Sequence, residues 1–377
     1  MKKVVILGGG FAGSQVALGL ERDFDVVLID RKPYFEYTPG ILRGIQDLGA
    51  LEGLRVRHRD YLRKSEIVIG EVSEVRDGSV KVGNGLLEYD YLVIASGGKS
   101  RAFFKGPRVF SAYHGKDMEK AFGPVQKAKK IVVVGGGLVG VELAAELAQK
   151  YVGKKVVLVH PGEEVLERQE KRTRRLAAKW LRRHGVDLVL GERVVRQAGK
   201  FVVCQSGRKL EADVVFSCVG VGSNYEFLAR RFPGVLDERQ LVNVGGDLLV
   251  KGLGNVFAVG DVSSVRQEKT AQNAELQAHV VVSNVKKLAR ENSSPSARGS
   301  EGAGKASGIK LQAKADGEGS SLGGDVGLRT YKSGKRIMVV SLGSKSGILE
   351  WRRLVVGGWI GALAKWFTEK WVMRNYN

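Results

Sequence analysis

The chain contains two copies of one strand–loop–helix unit, about 127 residues apart. In each copy an apolar run, Val4 to Leu7 or Ile131 to Val134, leads into a glycine loop with GxGxxG spacing, and a helical stretch follows. A second apolar strand completes a βαβ unit and ends at Asp30 or His160. The repetition predicts an α/β fold with two Rossmann-like dinucleotide-binding domains, each built on a doubly wound parallel sheet.

A glycine loop in this position predicts a binding site for a dinucleotide pyrophosphate. The glycines allow a tight turn and a close backbone approach, and the following helix directs its positive N-terminus at the phosphates. In a chain with 51 glycines a lone match carries little weight, but two matches, each between a strand and a helix, favour nucleotide sites over plain glycine turns. The candidate residues are Gly8, Gly10, Phe11, Ala12 and Gly13 in the first loop, and Gly135, Gly137, Leu138, Val139 and Gly140 in the second.

The residue after each second strand indicates which nucleotide the loop prefers. Asp30 lies 17 residues beyond Gly13, where a carboxylate accepts hydrogen bonds from a ribose, and Arg31 follows it. His160 occupies the corresponding point of the second unit. A neutral or cationic group there tolerates a 2′-phosphate better than a carboxylate does, so NADH and NADPH both remain candidates.

Three more apolar strands end in small residues, at the edge where open α/β sheets bind ligands. These strands are Tyr91 to Ile94, Val214 to Phe216 and Val256 to Val259. The residues that follow them join the candidate cofactor site: Ala95, Ser96, Gly97, Gly220, Gly260 and Asp261.

Composition excludes several other classes of protein. The only cysteines, Cys204 and Cys218, exclude a disulfide framework, a cysteine-rich zinc module and an iron–sulfur ligand set, and no metal site is predicted. No apolar signal-peptide core follows Met1, so no signal peptide is expected. The longest late uncharged stretch, Leu354 to Ala364, falls short of the roughly 20 residues that a spanning helix needs.

The C-terminal region combines positive charge with tryptophan. The chain has a formal net charge of +21, and its last 49 residues, from Arg329, hold ten basic and two acidic residues and four of the five tryptophans. We predict a terminal amphipathic helix from Gly347 onward that lies in a membrane interface, so that residues 347–377 bind an anionic lipid surface. The alternatives are a helix that docks on its own protein or on a second subunit, which leaves a homodimer open.

These motifs together resemble the flavoproteins with two dinucleotide-binding domains. Two groups within this superfamily are especially similar. Type II NADH:quinone oxidoreductases share the segments Tyr34 to Pro39, Val139 to Leu143 and Thr270 to Ala274. The apoptosis-inducing-factor-like quinone reductases of the ferroptosis-suppressor type are similar in overall length and in the histidine at position 160.

The resemblance implies cofactors and a reaction. The first loop would hold FAD, the second NADH or NADPH, and Asp261 would contact the flavin ribityl chain. Glu142 would contact the nicotinamide amide, and its alternative role is that of an acid favouring a helix N-terminus. The implied activity is a non-proton-pumping transfer of hydride from NAD(P)H to flavin and of two electrons to a membrane quinone, at the cytoplasmic face of a membrane.

The implied quinone contacts are Gln272, as a catalytic residue, and more weakly Asn273 and Gln277. The motif AQxAxQ of type II enzymes departs here, because Leu276 occupies its last position and Gln277 follows one residue later. His279 is a further candidate for a proton relay.

Two other functions stay open. One is an apoptosis-inducing-factor-like protein whose basic surface binds nucleic acid or a partner, although the sequence has no nucleic-acid-binding module and no nucleic acid is expected. The other is a soluble flavin reductase or oxidase.

The predicted boundaries follow from the motifs. Residues 1–112 and 241–291 form the FAD-binding domain, and 113–240 form the inserted NAD(P)H-binding domain. Residues 292–325 form a flexible segment rich in glycine and serine, and 326–377 a C-terminal strand and the anchor helix.

Overall fold

The structure is a computed structural model, and it describes residues 1–100, 104–229, 231–292, 327–334 and 337–376. Apart from Asn292, the segment predicted to be flexible lies outside the described residues.

The strands, in chain order, are β1 (Lys3–Leu7), β2 (Asp25–Asp30), β3 (Tyr34–Glu36), β4 (Arg55–Arg57), β5 (Glu66–Ile69), β6 (Val72–Arg76), β7 (Ser79–Val82), β8 (Gly85–Glu88), β9 (Tyr91–Ile94), β10 (Gly98–Ser100), β11 (Val109–Ser111), β12 (Lys130–Val134), β13 (Lys155–Val159), β14 (Val186–Val189), β15 (Val194–Ala198), β16 (Phe201–Cys204), β17 (Lys209–Glu211), β18 (Val214–Ser217), β19 (Val221–Ser223), β20 (Val256–Ala258), β21 (Ile337–Ser341), β22 (Gly347–Trp351) and β23 (Leu354–Gly358).

The α-helices are α1 (Phe11–Leu20), α2 (His58–Tyr61), α3 (Gly115–Lys127), α4 (Leu138–Lys150), α5 (Lys171–Arg183), α6 (Glu226–Ala229), α7 (Ala271–Glu291) and α8 (Trp359–Met373). Short 3-10 helices cover Thr38–Ile45, Leu48–Leu54, Pro233–Val235 and Gly260–Val262.

The chain divides into two compact units, each with a five-stranded parallel sheet. The first sheet has the order β20-β9-β1-β2-β5 and the second β11-β18-β12-β13-β14. In both, the strand that leads into a glycine loop lies at the centre, and its apolar residues are almost fully buried. Continuous apolar runs suit parallel strands covered on both faces. The predicted α/β fold with two Rossmann-like domains is confirmed.

The units divide the chain differently from the predicted domains. The first unit comprises 1–35, 57–98 and 222–334, and the second comprises 36–56, 99–221 and 335–377. The predicted change of domain at residue 112 falls too late, because β11 already pairs with β18 in the second sheet. The C-terminal segment is not separate from the second unit, because it packs on helices of that unit.

The C-terminal segment has more strand than predicted. A helix from Gly347 onward was wrong for residues 347–358, which form β22 and β23 in an antiparallel sheet with β21. The helix begins only at Trp359, after Gly358 at φ +88°. Ile348 and Val355 are buried in this hairpin while Trp351 and Leu354 are exposed, as in strands half-covered by other elements. No helix within the described ranges combines the length and the hydropathy required to cross a membrane.

Helix α8 packs against β22 at a contact between two glycines. A Cβ atom added to Gly361 would lie 2.2 Å from the carbonyl carbon of Gly347, closer than real side chains approach a backbone. Neither backbone can move away without shifting its whole element, so this contact requires glycine.

We therefore expect Gly361→Ala to lower the free energy of unfolding by about 1–3 kcal/mol, the usual range for overpacking. The control is Gly123→Ala, since Gly123 lies in α3 with open space around it. It should leave stability unchanged or raise it by up to about 1 kcal/mol, because alanine favours a helix more than glycine does. Urea unfolding of both variants measures the difference, and equal stability would contradict the packing of α8 described above.

Candidate functional site

The three glycines of the first glycine loop, between β1 and α1, have two different roles. A Cβ atom on Gly8 would lie 2.4 Å from the Ala95 carbonyl oxygen, and one on Gly13 would lie 1.8 Å from the Gly8 oxygen. Gly10 is exposed and a Cβ there would meet nothing within 4 Å. The outer glycines hold the turn, and the middle one leaves the backbone open to a ligand.

Asp30 ends β2 beside this loop, as predicted from its position in the sequence. Its Oδ2 accepts a hydrogen bond from the Gly9 amide at 2.5 Å, and its Oδ1 accepts one from the Lys32 amide at 2.7 Å. These two bonds fix the carboxylate at the loop, in the place where a ribose would bind. Arg31 is exposed, with its guanidinium 3.9 Å from Glu71.

A buried histidine supports the loop from behind, and sequence reasoning missed it. His58 is fully buried, its Nδ1 lies 2.7 Å from the Tyr61 hydroxyl, and its ring occupies the space that a Cβ on Gly9 would need. Burial lowers the pKa of His58, which keeps the ring neutral.

The predicted loop after β9 is tied to a residue far along the chain. The Asn224 side chain donates to the carbonyl oxygens of Ser96 and Gly98 at 2.9 and 3.0 Å, and the Ser96 hydroxyl donates to the Asn224 carbonyl at 2.7 Å. Gly97 adopts φ +65°. Asn224 thus fixes the small-residue loop that the sequence alone indicated.

Gln277 has a structural role that the sequence did not predict. It is 1% exposed, and its Oε1 accepts a hydrogen bond from the Gly260 amide at 2.7 Å. A side chain buried in this way has almost no surface for a ligand, and the quinone contact of Gln277 stays a prediction. Gln277 fastens α7 to the loop that contains Gly260 and Asp261.

The second glycine loop, between β12 and α4, repeats the geometry of the first. A Cβ on Gly135 would lie 2.7 Å from the Cys218 oxygen, and one on Gly140 would lie 1.8 Å from the Gly135 oxygen. Gly137 is exposed and open, as Gly10 is in the first loop. Val139 at the start of α4 is also exposed, and Gly220 adopts φ +67° after β18.

His160 takes the place in the second loop that Asp30 has in the first. Its Nδ1 accepts a hydrogen bond from the Gly136 amide at 3.1 Å. Its Nε2 lies 3.7 Å from a Glu167 carboxylate oxygen. Because Nδ1 is the acceptor, Nε2 carries the proton. Strand β13 is therefore followed by an imidazole, whereas β2 ends in a carboxylate.

Glu142, the predicted nicotinamide contact, lies in the first turns of α4 and is nearly buried. Its Oε1 accepts hydrogen bonds from the Ser341 amide at 2.7 Å and from Lys365 Nζ at 2.8 Å. Lys365 belongs to α8, so the C-terminal region holds this carboxylate in place. No short motif indicates this pairing, because the two residues lie 223 positions apart.

A second buried acid lies one turn further along α4. Burial raises the pKa of Glu146 to about 7, and Glu142 adds to the rise while Lys365 opposes it. The Gln46 side chain donates to the Glu146 carboxylate. Nearby in the same unit, Arg43 pairs with Glu369 of α8 at 2.5 Å.

The amphipathicity of helix α8 is therefore reversed: its charged side chains face the protein and its large apolar side chains are exposed. Its protein-facing side includes the paired groups Lys365 and Glu369 with Gly361, Val372 and Met373. Its exposed side carries the large apolar side chains Trp359, Ile360, Leu363, Trp366, Phe367 and Trp371, which are 39–69% exposed.

The other predicted quinone contacts lie in the first turns of α7. Gln272 and His279 are exposed. The Asn273 side chain donates to the Glu268 carbonyl at 2.9 Å, so its amide is engaged in the cap of the helix. Glu275, which sequence reasoning passed over, lies between Gln272 and His279 on the helix and is partly buried.

Cys204 and Cys218 are free thiols. Burial raises the pKa of Cys218 to about 12 and also raises that of Cys204, so both are protonated at neutral pH. Within the described part of the chain, no group of three or more His, Cys, Asp or Glu residues could hold a metal ion.

Comparisons with known proteins agree with this geometry. Residues 2–278 match the model of the pyridine nucleotide-disulphide oxidoreductase family. Human ferroptosis suppressor protein 1 is 30% identical over 75% of this chain and 79% of its own length. Apoptosis-inducing factor homolog B of Dictyostelium discoideum is 27% identical over 78% of this chain and 82% of its own. The structure of NDH2 from Plasmodium falciparum in complex with NADH superimposes with a TM-score of 0.78 at 16% identity, covering 97% of this chain and 93% of that one.

In each glycine loop the outer glycines make close backbone contacts and the middle glycine is open, an arrangement that fits a dinucleotide. Proteins of the matching family use two such nucleotides. The predicted cofactors, FAD and NAD(P)H, are confirmed by the family match. The chain belongs to the pyridine nucleotide-disulphide oxidoreductase family and is an NAD(P)H-dependent flavoprotein oxidoreductase.

Proposed function

We propose that this protein is an NAD(P)H:quinone oxidoreductase that works on a membrane surface. The observation that carries the proposal is the reversed amphipathicity of α8, which buries paired charges and exposes six large apolar side chains. An oxidoreductase with an apolar outer surface has access to an electron acceptor dissolved in lipid. The nicotinamide donor is supported by NDH2, which shares the fold and was solved with NADH.

The chain's own residues would bind and orient the two nucleotides. Gly8, Gly10 and Gly13 would receive the FAD pyrophosphate, and Asp30 would accept hydrogen bonds from its ribose. Gly135, Gly137 and Gly140 would receive NAD(P)H in the same way. When bound, FAD supplies the acceptor for the hydride and the relay for electrons to the second substrate.

Glu142 would orient the nicotinamide, as the resemblance implies. Its Oε1 is held by Ser341 and Lys365, so the carboxylate has a fixed position and needs no rearrangement to accept a bond from an amide. Lys365 also pairs with Glu142 at 2.8 Å, which compensates the nearly buried carboxylate.

The lipid contact would be made by the exposed side of α8 and its flanks. Tryptophan and phenylalanine partition into the interface between headgroups and acyl chains, and cations beside them attract anionic lipid. Lys370 and Arg374 are exposed among these aromatic residues. Arg352 and Arg353 are exposed in the turn between β22 and β23, next to the exposed Trp351.

The proposed acceptor is tested in two anaerobic half-reactions. NADH or NADPH should bleach the flavin absorbance of the purified protein, and a short-chain quinone should restore it within the turnover time. Oxygen alone should restore the absorbance much more slowly. A reduced protein that quinone does not reoxidise would contradict the proposal while leaving the family assignment intact.

Replacing Glu142 by glutamine should slow flavin reduction by NADH about tenfold or more, since a hydrogen bond to a charged group contributes about 1.5–3 kcal/mol. Stopped-flow bleaching measures the rate. Because Lys365 would lose its partner, the double variant Glu142→Gln with Lys365→Met should restore thermal stability without restoring the rate. An unchanged single-turnover rate would remove Glu142 from the nicotinamide site.

Membrane binding is tested by Trp366→Ser with Phe367→Ser. Burying a large apolar side chain contributes about 1.5–3 kcal/mol, so the double variant should bind vesicles containing anionic lipid at least tenfold more weakly. NADH oxidation by a water-soluble acceptor should be unchanged. Leu86→Ser is the control, because Leu86 is similarly exposed in β8 of the first unit. Equal co-sedimentation of the double variant and the wild type would refute the lipid contact.

A further inference from the structure

Helix α7 carries three polar side chains on one face near its beginning. Gln272, Glu275 and His279 are spaced three and four residues apart, so they lie within an arc of about 60° on a regular helix. Gln272 and His279 are exposed, and Glu275 between them is partly buried. The three groups form a short row from the predicted quinone contact to solvent.

The position of this row is fixed by the loop that follows β20. Gln277 on α7 accepts a hydrogen bond from the Gly260 amide. A Cβ atom added to Gly260 would lie 3.9 Å from the Cβ of Ala274. Farther along, Val282 packs against Gly19 of α1. The start of α7 is therefore held beside Gly260-Asp261, a segment assigned to the flavin nucleotide, and its middle packs on α1, which follows the first glycine loop.

One of the two carboxyl oxygens of Glu275 is unsatisfied. Its Oε1 is buried and has no hydrogen-bond partner within the described ranges. Burial alone raises the pKa of Glu275 to about 7, so at neutral pH about half of the molecules carry the proton.

Burial alone accounts for the raised pKa of Glu275, without a contribution from a charged group. Helix α1 has no ionisable residue between Phe11 and Leu20. The loop after β20 contains Asp261, Glu268 and Lys269 lie just before α7, and α7 itself carries His279 on this face. The segment 327–334, whose Gly334 contacts Leu276, contributes Arg329, Tyr331 and Lys332. None of these groups is a cause of the raised pKa.

The proposed reaction needs an acid at this place. Reduction of a quinone to a quinol takes two electrons and two protons. The hydride of NAD(P)H supplies both electrons and one proton, so one more proton must come from the protein or from water. A carboxylic acid whose pKa is about 7 and whose Oε1 has no hydrogen-bond partner in the described part of the chain is suited to donate it.

We propose that Glu275 donates this second proton to the quinone and that His279 returns a proton to it from solvent. The Glu275 O–H bond breaks as the quinol O–H bond forms, which leaves a carboxylate. Gln272, one turn earlier, would donate to a quinone carbonyl oxygen and hold it at the row. This inference rests on the proposed quinone reductase function.

The test separates the two half-reactions in Glu275→Gln, which keeps the size of the side chain and removes the acid. Flavin reduction by NADH should be unchanged, and reoxidation by quinone should slow about a hundredfold, the usual contribution of a general acid. In the wild type, reoxidation should slow as the pH rises above about 7, because Glu275 loses its proton. The variant should lose this pH dependence, and Glu275→Asp should keep part of the rate.

A readout independent of turnover is the infrared band of the protonated carboxyl group. It should titrate near pH 7 in the wild type and be absent from Glu275→Gln. The control Glu88→Gln makes the same change at an exposed site of the same unit and should alter neither measurement. FAD content and thermal unfolding confirm that each variant is folded.

The outcomes distinguish the inference from the function beneath it. A wild-type protein that quinone does not reoxidise overturns the quinone reductase function, and the inference with it. Reoxidation that is equally fast and equally pH-dependent in Glu275→Gln overturns the role of Glu275 alone. Selective loss in the second half-reaction supports it.

Discussion

The close backbone contact within each glycine loop determines where everything else in these sites can lie. In both units the first and last glycines of the loop approach so nearly that a Cβ on the last one would be 1.8 Å from the carbonyl oxygen of the first. This contact turns the chain sharply from the central strand into its helix. It leaves the middle glycine exposed and the helix N-terminus pointing toward the same space. Two dinucleotides in one chain require this constraint to be met twice.

The two loops differ in what stands beside them. Asp30 fixes the first loop as an anionic hydrogen-bond acceptor, and His160 fixes the second through a neutral ring nitrogen. The same backbone amide position is satisfied in both cases, so either residue completes the turn. The difference is therefore free to serve recognition of the ribose, and a histidine imposes no charge repulsion on a 2′-phosphate.

Local spacing explains what the sequence could predict. The glycine loops, Asp30, His160 and the small residues after β9 and β20 follow from short motifs, and the structure places them at the carboxyl ends of strands in the two parallel sheets. Gln277, Asn224 and Lys365 could not be assigned, because their partners lie 17, about 126 to 128 and 223 residues away. The hairpin of residues 347–358 was mistaken for a helix because aromatic residues and glycines fit an interfacial helix as well as a strand edge.

The ion pairs of α8 make the C-terminal helix part of the nucleotide-binding unit rather than an appendage. A protein shortened before Trp359 would leave Glu142 without Lys365 and Arg43 without Glu369. Lost activity in such a truncation could not be ascribed to lost membrane contact, since the same cut disturbs the carboxylate proposed to orient the nicotinamide. Substitutions on the exposed apolar side of α8 change the membrane contact and leave the Glu142–Lys365 pair in place.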